Sequence, residues 1–216
     1  MKILALELSS DVRSVAVLDA NTGAAASARE TGGKSAHTLG LVEQVLREAG
    51  FEREAVECVA IGIGPGSYTG IRLGISFAQG WSIALPVKIL GISSVECMVL
   101  MAAQKGREGL VDFAVDAQRG EFYLASYALL KGEYREVEPL HLASLEELKQ
   151  RHAAGRLVLG PEVADIIPGT QAVYPNAVTL AQLAAGRTDF ITGEELKPIY
   201  LRQTDFVKAP PLRVIG

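Results

Sequence analysis

Two cysteines in 216 residues, Cys58 and Cys97, are too few for a fold stapled by disulfides. They fit a reducing cytosol, and no disulfide is expected. A strong net charge is missing too. The 21 Lys and Arg stand against 25 Asp and Glu, giving −4 overall. This excludes a chain that grips nucleic acid alone through a large basic surface, though not one that joins a basic partner. No apolar run approaches the length of a membrane span. The opening Met1-Lys-Ile-Leu-Ala-Leu-Glu7 reaches an acid too soon for a secretory signal. The expectation is a soluble cytoplasmic protein. Histidine is scarce: His37, His141 and His152 fall in different predicted elements, and none pair at i, i+4. A paired-histidine metal centre is therefore not expected, and the H-E-x-x-H of a zinc protease is absent. Gly66-Ser67-Tyr68 is not the G-x-S-x-G elbow of a serine hydrolase.

Apolar residues, by contrast, make up 49% of the chain, enough for one sizeable core or two small lobes. The most informative segment runs from Ile61 to Gly74, Ile-Gly-Ile-Gly-Pro-Gly-Ser-Tyr-Thr-Gly-Ile-Arg-Leu-Gly. It reads as a buried strand over Val59–Ile63, a glycine-rich turn, and a helix capped by Ser67 or Thr69. Such a turn can aim free N–H groups and a positive helix end at an anion. The segment lacks the lysine of a P-loop, and Thr69 stands where a dinucleotide fingerprint needs its third glycine. Gly66, Gly70, Gly74 and Ala78 fall four apart on one helix face. A face so bare lets another backbone come close, which favours an interface.

Along the chain, strands are expected over Ile3–Leu8, Ser14–Leu18 and Ala24–Glu30, as an antiparallel meander. A helix follows over Ala36–Ala49, with Leu39, Val42, Val45 and Leu46 as its stripe. The glycine-rich helix runs to about Ala84, before Pro86. A short strand over Val87–Leu90 and a helix through Ala103 follow. Polar Gln104–Gly109 marks a lobe boundary, giving lobes of residues 1–104 and 105–216. The opening pattern then recurs: strands over Leu110–Val115, Glu121–Leu129 and Tyr134–Pro139, with Asp116 near the first turn as Glu7 is in the first lobe. Ser144-Leu-Glu-Glu147 is a capping box. A strand over Leu157–Leu159 and short helices from Pro161 and over Thr179–Ala185 follow. Two lobes of this kind fit the α/β actin-like and sugar-kinase-like (ribonuclease H-like) architecture, each lobe a mixed sheet with helices. There the turns Glu7–Asp11 and Asp116–Gly120 would flank a nucleotide cleft.

Gly64-Pro-Gly-Ser-Tyr-Thr-Gly-Ile-Arg-Leu-Gly74 resembles the signature of the TsaB (YeaZ) family. Ile3–Ser10, Val115–Tyr123 and Pro198-Ile-Tyr-Leu-Arg202 resemble its opening strand, second hairpin and C-terminal motif. The first turn departs from the family's Asp-Thr-Ser, reading Glu7-Leu8-Ser9. Lys34-Ser35 stands where the family has His-Ser. The resemblance implies a non-catalytic scaffold subunit of the machinery making threonylcarbamoyladenosine at position 37 of tRNAs. It would bind and activate the catalytic subunit TsaD. The ATPase TsaE would dock on the heterodimer, the chain would pair with itself when alone, and tRNA would be met only through the complex. The metal and ATP·Mg²⁺ would belong to partners, with no cofactor of the chain's own.

The implied interface is Gly66, Ser67, Tyr68, Thr69, Gly70, Arg72, Leu73, Gly74 and Phe77, with Leu39 and Val42 from the neighbouring helix. A bulky residue at Gly70 or Gly74 is expected to abolish pairing while leaving the fold intact. Glu7, Ser9, Ser10, Asp116 and Arg119 would line a vestigial nucleotide cleft. Asp116 either joins Glu7 in holding Mg²⁺ or simply starts its turn by accepting backbone N–H groups, the favoured choice. Arg119 is a phosphate fork or a solvated turn residue. The rival functions are an actin-like ATPase and a peptidase. The peptidase, suggested by older glycoprotease names for the wider group, lacks a nucleophile–base set.

Overall fold

The computed structural model describes residues 1–32 and 38–201. The expected helix start at Ala36, together with Lys34, Ser35, His37 and Arg202, lies outside them. Strands β1 (Lys2–Glu7), β2 (Val12–Asp19) and β3 (Ala25–Thr31) form the expected meander. Helix α1 (Thr38–Ala49) leads to β4 (Cys58–Gly62), and α2 (Tyr68–Ala84) to β5 (Lys88–Ile92). Both β4 and β5 join in parallel, so the first sheet has the order β3-β2-β1-β4-β5. Helix α3 (Ser94–Gln104) follows, capped by the Ser93 hydroxyl.

The second sheet repeats that plan. Strands β6 (Gly109–Asp116), β7 (Glu121–Leu130) and β8 (Glu133–Ser144) are an antiparallel meander. After α4 (Leu145–Ala153), β9 (Leu157–Gly160) joins β6 in parallel. After α5 (Val163–Ile166), the two-residue β10 (Gln171–Ala172) joins β9. The order β8-β7-β6-β9-β10 is that of the first sheet, strand for strand. Helix α6 (Ala177–Ala185), capped by Asn176, closes the repeat. Strand β8 is longer than predicted and carries Pro139, which an edge strand tolerates. Strand β10 is too short to leave a sequence pattern.

Strands β1, β2, β4 and β5 of the first sheet are packed on both faces, as the parallel pairing of β1, β4 and β5 requires, whereas edge strand β3 has no buried residue. One face (Leu4, Leu6, Val15, Val17, Val59, Ile61) packs under α1 and α2. The other (Ile3, Ala5, Ala16, Cys58, Ala60, Leu90, Ile92) packs against Ala177, Leu180, Ala181 and Ala184 of α6. Helix α3 places Val95, Met98, Val99 and Ala102 on the second sheet, against Val111, Phe113 and Ala125. Each half of the chain thus lends its last helix to the other half's sheet. Beyond α6 the chain returns along the edge of the first sheet. Ile191 bridges Ile89, and the Ile199 N–H donates to the Ile63 carbonyl.

Candidate functional site

The glycine-rich turn sits between β4 and α2 at one end of the first sheet. Ser67 is the helix cap, its hydroxyl accepting from the Gly70 N–H at 3.3 Å. The Ser67 N–H donates to the Ser9 carbonyl at 2.7 Å, which fastens the turn to the β1–β2 loop. The bare face of α2 then points inward. A Cβ on Gly66 would collide with the Ser9 carbonyl, and one on Gly70 with the Leu8 carbonyl. A Cβ on Gly74 would press the Ile61 side chain at 3.1 Å. The close approach that these glycines permit is that of the chain's own backbone. This corrects their assignment to a partner interface, and with it the expectation that Gly70→Leu or Gly74→Leu spares the fold. Val42 is corrected likewise: it is buried in the core under α1.

The opposite face of α2 is open. Thr69, Arg72, Ser76, Gly80 and Ile83 are exposed along one line, flanked by half-buried Leu73. Ile83 is 87% exposed, Tyr68 58%, and Leu39 on α1 57%. Around Gly80 a Cβ would meet nothing within 4 Å. Phe77 is half-buried against the core and rests on Trp81, with ring centroids 5.2 Å apart. Over its 17 residues α2 has a single charged side chain, Arg72. Ordinary exposed helix faces are rich in charge. Sequence reasoning missed Ser76, Gly80 and Ile83, although the lack of charge between Leu73 and Ala84 was there to find.

Between the sheets lies a cleft of about 860 Å³. Its walls include Ser9, Ser10, Asp11, Tyr68, Arg72, Asp116, Gln118, Glu162 and Tyr200. Arg72 lies over the Tyr68 ring at 4.5 Å, and Tyr68 stacks on Tyr200 at 5.7 Å. Ser9 and Ser10 stand where expected, but Glu7 does not. Its side chain is fully buried behind the turn. It accepts from the Ser9 N–H at 2.8 Å and from the Ser94 hydroxyl at 2.9 Å. Burial pushes its carboxyl above the ordinary range. Gly62 makes the room, since a Cβ there would overlap the Glu7 carboxylate. The Glu7 carboxylate is thus directed away from the cleft, and Glu7 and Asp116 do not come together.

Asp116 accepts from the Gln118 N–H at 2.7 Å, the turn role favoured above. Gln118, Arg119 and Gly120 follow with φ of 64°, 60° and 76°. Arg119 is exposed on that turn and is not part of the cleft wall. The acids that do face the cleft are Asp11, Asp116 and Glu162. Burial, then the charges of Asp116 and Asp11, raise the Glu162 carboxyl above its usual range. Among the described residues of the cleft wall, Arg72 is the one cation beside these three carboxylates.

Comparison with known proteins agrees with this architecture. The family model described as "TsaD: tRNA N6-adenosine threonylcarbamoyltransferase" matches residues 34–164. The tRNA threonylcarbamoyladenosine biosynthesis protein TsaB of Escherichia coli (strain K12) is 27% identical, over 94% of this chain and 95% of that protein. The Haemophilus influenzae protein of the same name is 28% identical, with 94% of each covered. Among solved structures, YeaZ from Pseudomonas aeruginosa superposes with a TM-score of 0.77 at 29% identity, covering 93% of this chain and 99% of that one.

Proposed function

We propose a function from one premise: the chain belongs to the family of tRNA N6-adenosine threonylcarbamoyltransferase (TsaD) homologues, among its TsaB (YeaZ) members. It acts in making threonylcarbamoyladenosine on tRNA as a non-catalytic scaffold that binds and activates TsaD. The outer face of α2 is the docking surface. One observation carries this: Thr69, Leu73, Ser76, Gly80 and Ile83 form a face of small and apolar side chains with no charge apart from Arg72 at its edge. Water gains little from such a surface, and a partner helix packs closely over Ser76 and Gly80. Leu39 is a separate exposed apolar residue on α1, whose outer side is otherwise charged by Glu43 and Arg47. A second copy would use the same face when TsaD is absent, and TsaE would join the heterodimer.

The cleft supports the non-catalytic half of the proposal. An actin-like ATPase would present the acid at the end of its first strand to Mg²⁺; here that position is Glu7, although Asp11, farther along the turn, does reach the cleft. Glu7 is instead spent on Ser9 and Ser94. Catalytic metal and nucleotide then belong to partner subunits.

Gly80→Trp tests the surface, because a Cβ added there meets nothing within 4 Å. Light scattering after size exclusion is expected to give a one-to-one heterodimer for the natural chain mixed with TsaD. It is expected to give separate peaks for Gly80→Trp, with unchanged circular dichroism. A Gly80→Trp chain that still pairs would remove the α2 face from the proposal. A natural chain indifferent to TsaD would remove the proposal itself.

A further inference from the structure

On the face of the first sheet away from α1 and α2, helix α6 packs on β1 and β2 and leaves a groove of about 530 Å³ along β3. Its lining includes Ser14 of β2, Ser27 and Arg29 of β3, and Val178 and Thr179 of α6. The strand pairing brings these together. Ser14 stands directly opposite Arg29, and Ala16 opposite Ser27, so Ser14, Ser27 and Arg29 share one face. The Ser14 Oγ accepts from the Ala177 N–H at 2.9 Å, which sets the first residue of α6 over the same place.

This groove holds donors that have nothing to bond. The first N–H groups of a helix have no partner inside it. In α6, Ala177 is served by Ser14, and Thr179 by the Asn176 side chain at 2.9 Å. The Val178 N–H has no partner among the described residues. Two buried hydroxyls add to it. Ser14 is 6% exposed and Thr179 5%, and both line the groove. Toward the described residues Ser14 Oγ serves as an acceptor only, so its own hydrogen is unspent. The Thr179 hydroxyl makes no hydrogen bond to a described residue. A buried hydroxyl without an acceptor is costly, and each of these calls for one from within the groove.

Charge points the same way. Among the described residues the lining contains no Asp or Glu, and Arg29 is its one charged side chain. Arg29 is exposed and makes no ion pair or hydrogen bond with a described residue. Glu30, next along β3, faces the opposite side, where it accepts from the Thr38 hydroxyl at 3.1 Å. The α6 N-terminus adds roughly half a positive charge. A guanidinium fork, a helix N–H and hydroxyl donors together suit an oxyanion. With two hydrogens from the Arg29 fork, the groups named offer about six, more than the roughly four lone-pair sites of a carboxylate. A terminal phosphate, with three free oxygens, takes them all, whereas a phosphodiester has two.

We infer that this groove binds the terminal phosphate group of a small ligand, with Arg29 opposing its charge and the Val178 N–H, Ser14 and Thr179 donating to its oxygens. A groove of this volume leaves room for the body of a small molecule beyond the phosphate. The site lies across the sheet from the α2 surface and does not rest on the proposed function.

The test is a titration of the ¹⁵N-labelled full-length chain with inorganic phosphate, at constant ionic strength held with NaCl, followed by ¹H–¹⁵N NMR. A saturable downfield shift of the Val178 amide is expected. Arg29→Gln is expected to weaken binding about tenfold or more, and Thr179→Val severalfold. Arg29 is exposed, so its variant keeps the fold, which its own spectrum verifies. Dimethyl phosphate, a diester, is expected to bind about tenfold or more weakly than methyl phosphate. No saturable shift at Val178 would overturn the inference. So would an Arg29→Gln chain that binds phosphate as tightly as the natural one. Equal binding of the two esters would overturn the choice of a terminal phosphate.

Discussion

At the scale of single residues, glycines of one helix do opposite work. Gly70 exists so that the Leu8 carbonyl can lie against α2, whereas Gly80 faces open space. Gly70→Ala is therefore expected to cost about 2–3 kcal/mol through backbone overlap. Gly80→Ala is expected to gain up to about 1 kcal/mol from helix propensity. Thermal unfolding of the two variants checks both signs, and a stabilised Gly70→Ala would refute the packing account. The glycines could be read from sequence as one face, but which way it points could not. A face of small residues fits either a neighbouring helix or the chain's own loop. Only the position of Leu8 and Ser9 decides between them.

At the scale of elements, α4 owes its place to charge as much as to its one fully buried leucine, Leu148. Its capping box forms as the sequence indicated, with the Ser144 hydroxyl accepting from the Glu147 N–H at 3.1 Å. Arg151 on the same helix bonds Glu138 and holds that carboxyl down at about 2. The folded value lies below the ordinary 4.5. Glu138 thus stabilises the fold above about pH 4.5, and the contribution is lost as pH falls from there towards 2. Urea midpoints should find the natural chain more stable than Glu138→Gln at pH 6. The gap should narrow through that window and close near pH 2. A gap independent of pH would mean that Arg151 does not hold Glu138. Surface exposure of the pair keeps its size modest.

At the scale of the whole molecule, the two sheets share one strand order, yet the halves of the chain are not separate bodies. The inner face of the first sheet is covered by α6, which belongs to residues 105–216. A fragment of residues 1–104 would expose Ile3, Ala5, Ala16, Leu90 and Ile92 to water. It is expected to be unfolded or aggregated, with the full chain melting in one transition. A folded, monomeric 1–104 fragment would contradict the helix exchange.

The sequence by itself determined the elements, apart from the two-residue β10 and the full length of β8, and the recurrence of the opening meander. Alternation, caps and glycine or proline stops are local signals, and local geometry obeys them. It also supplied the family resemblance and the shortage of charge on α2. The tertiary structure decided what lies across space. It turned Glu7 from the cleft into the room left by Gly62, turned Gly66, Gly70 and Gly74 inward, and set the start of α6 against Ser14. Those outcomes depend on contacts between side chains far apart or on different elements, where burial and distance choose among partners that composition and spacing leave equal.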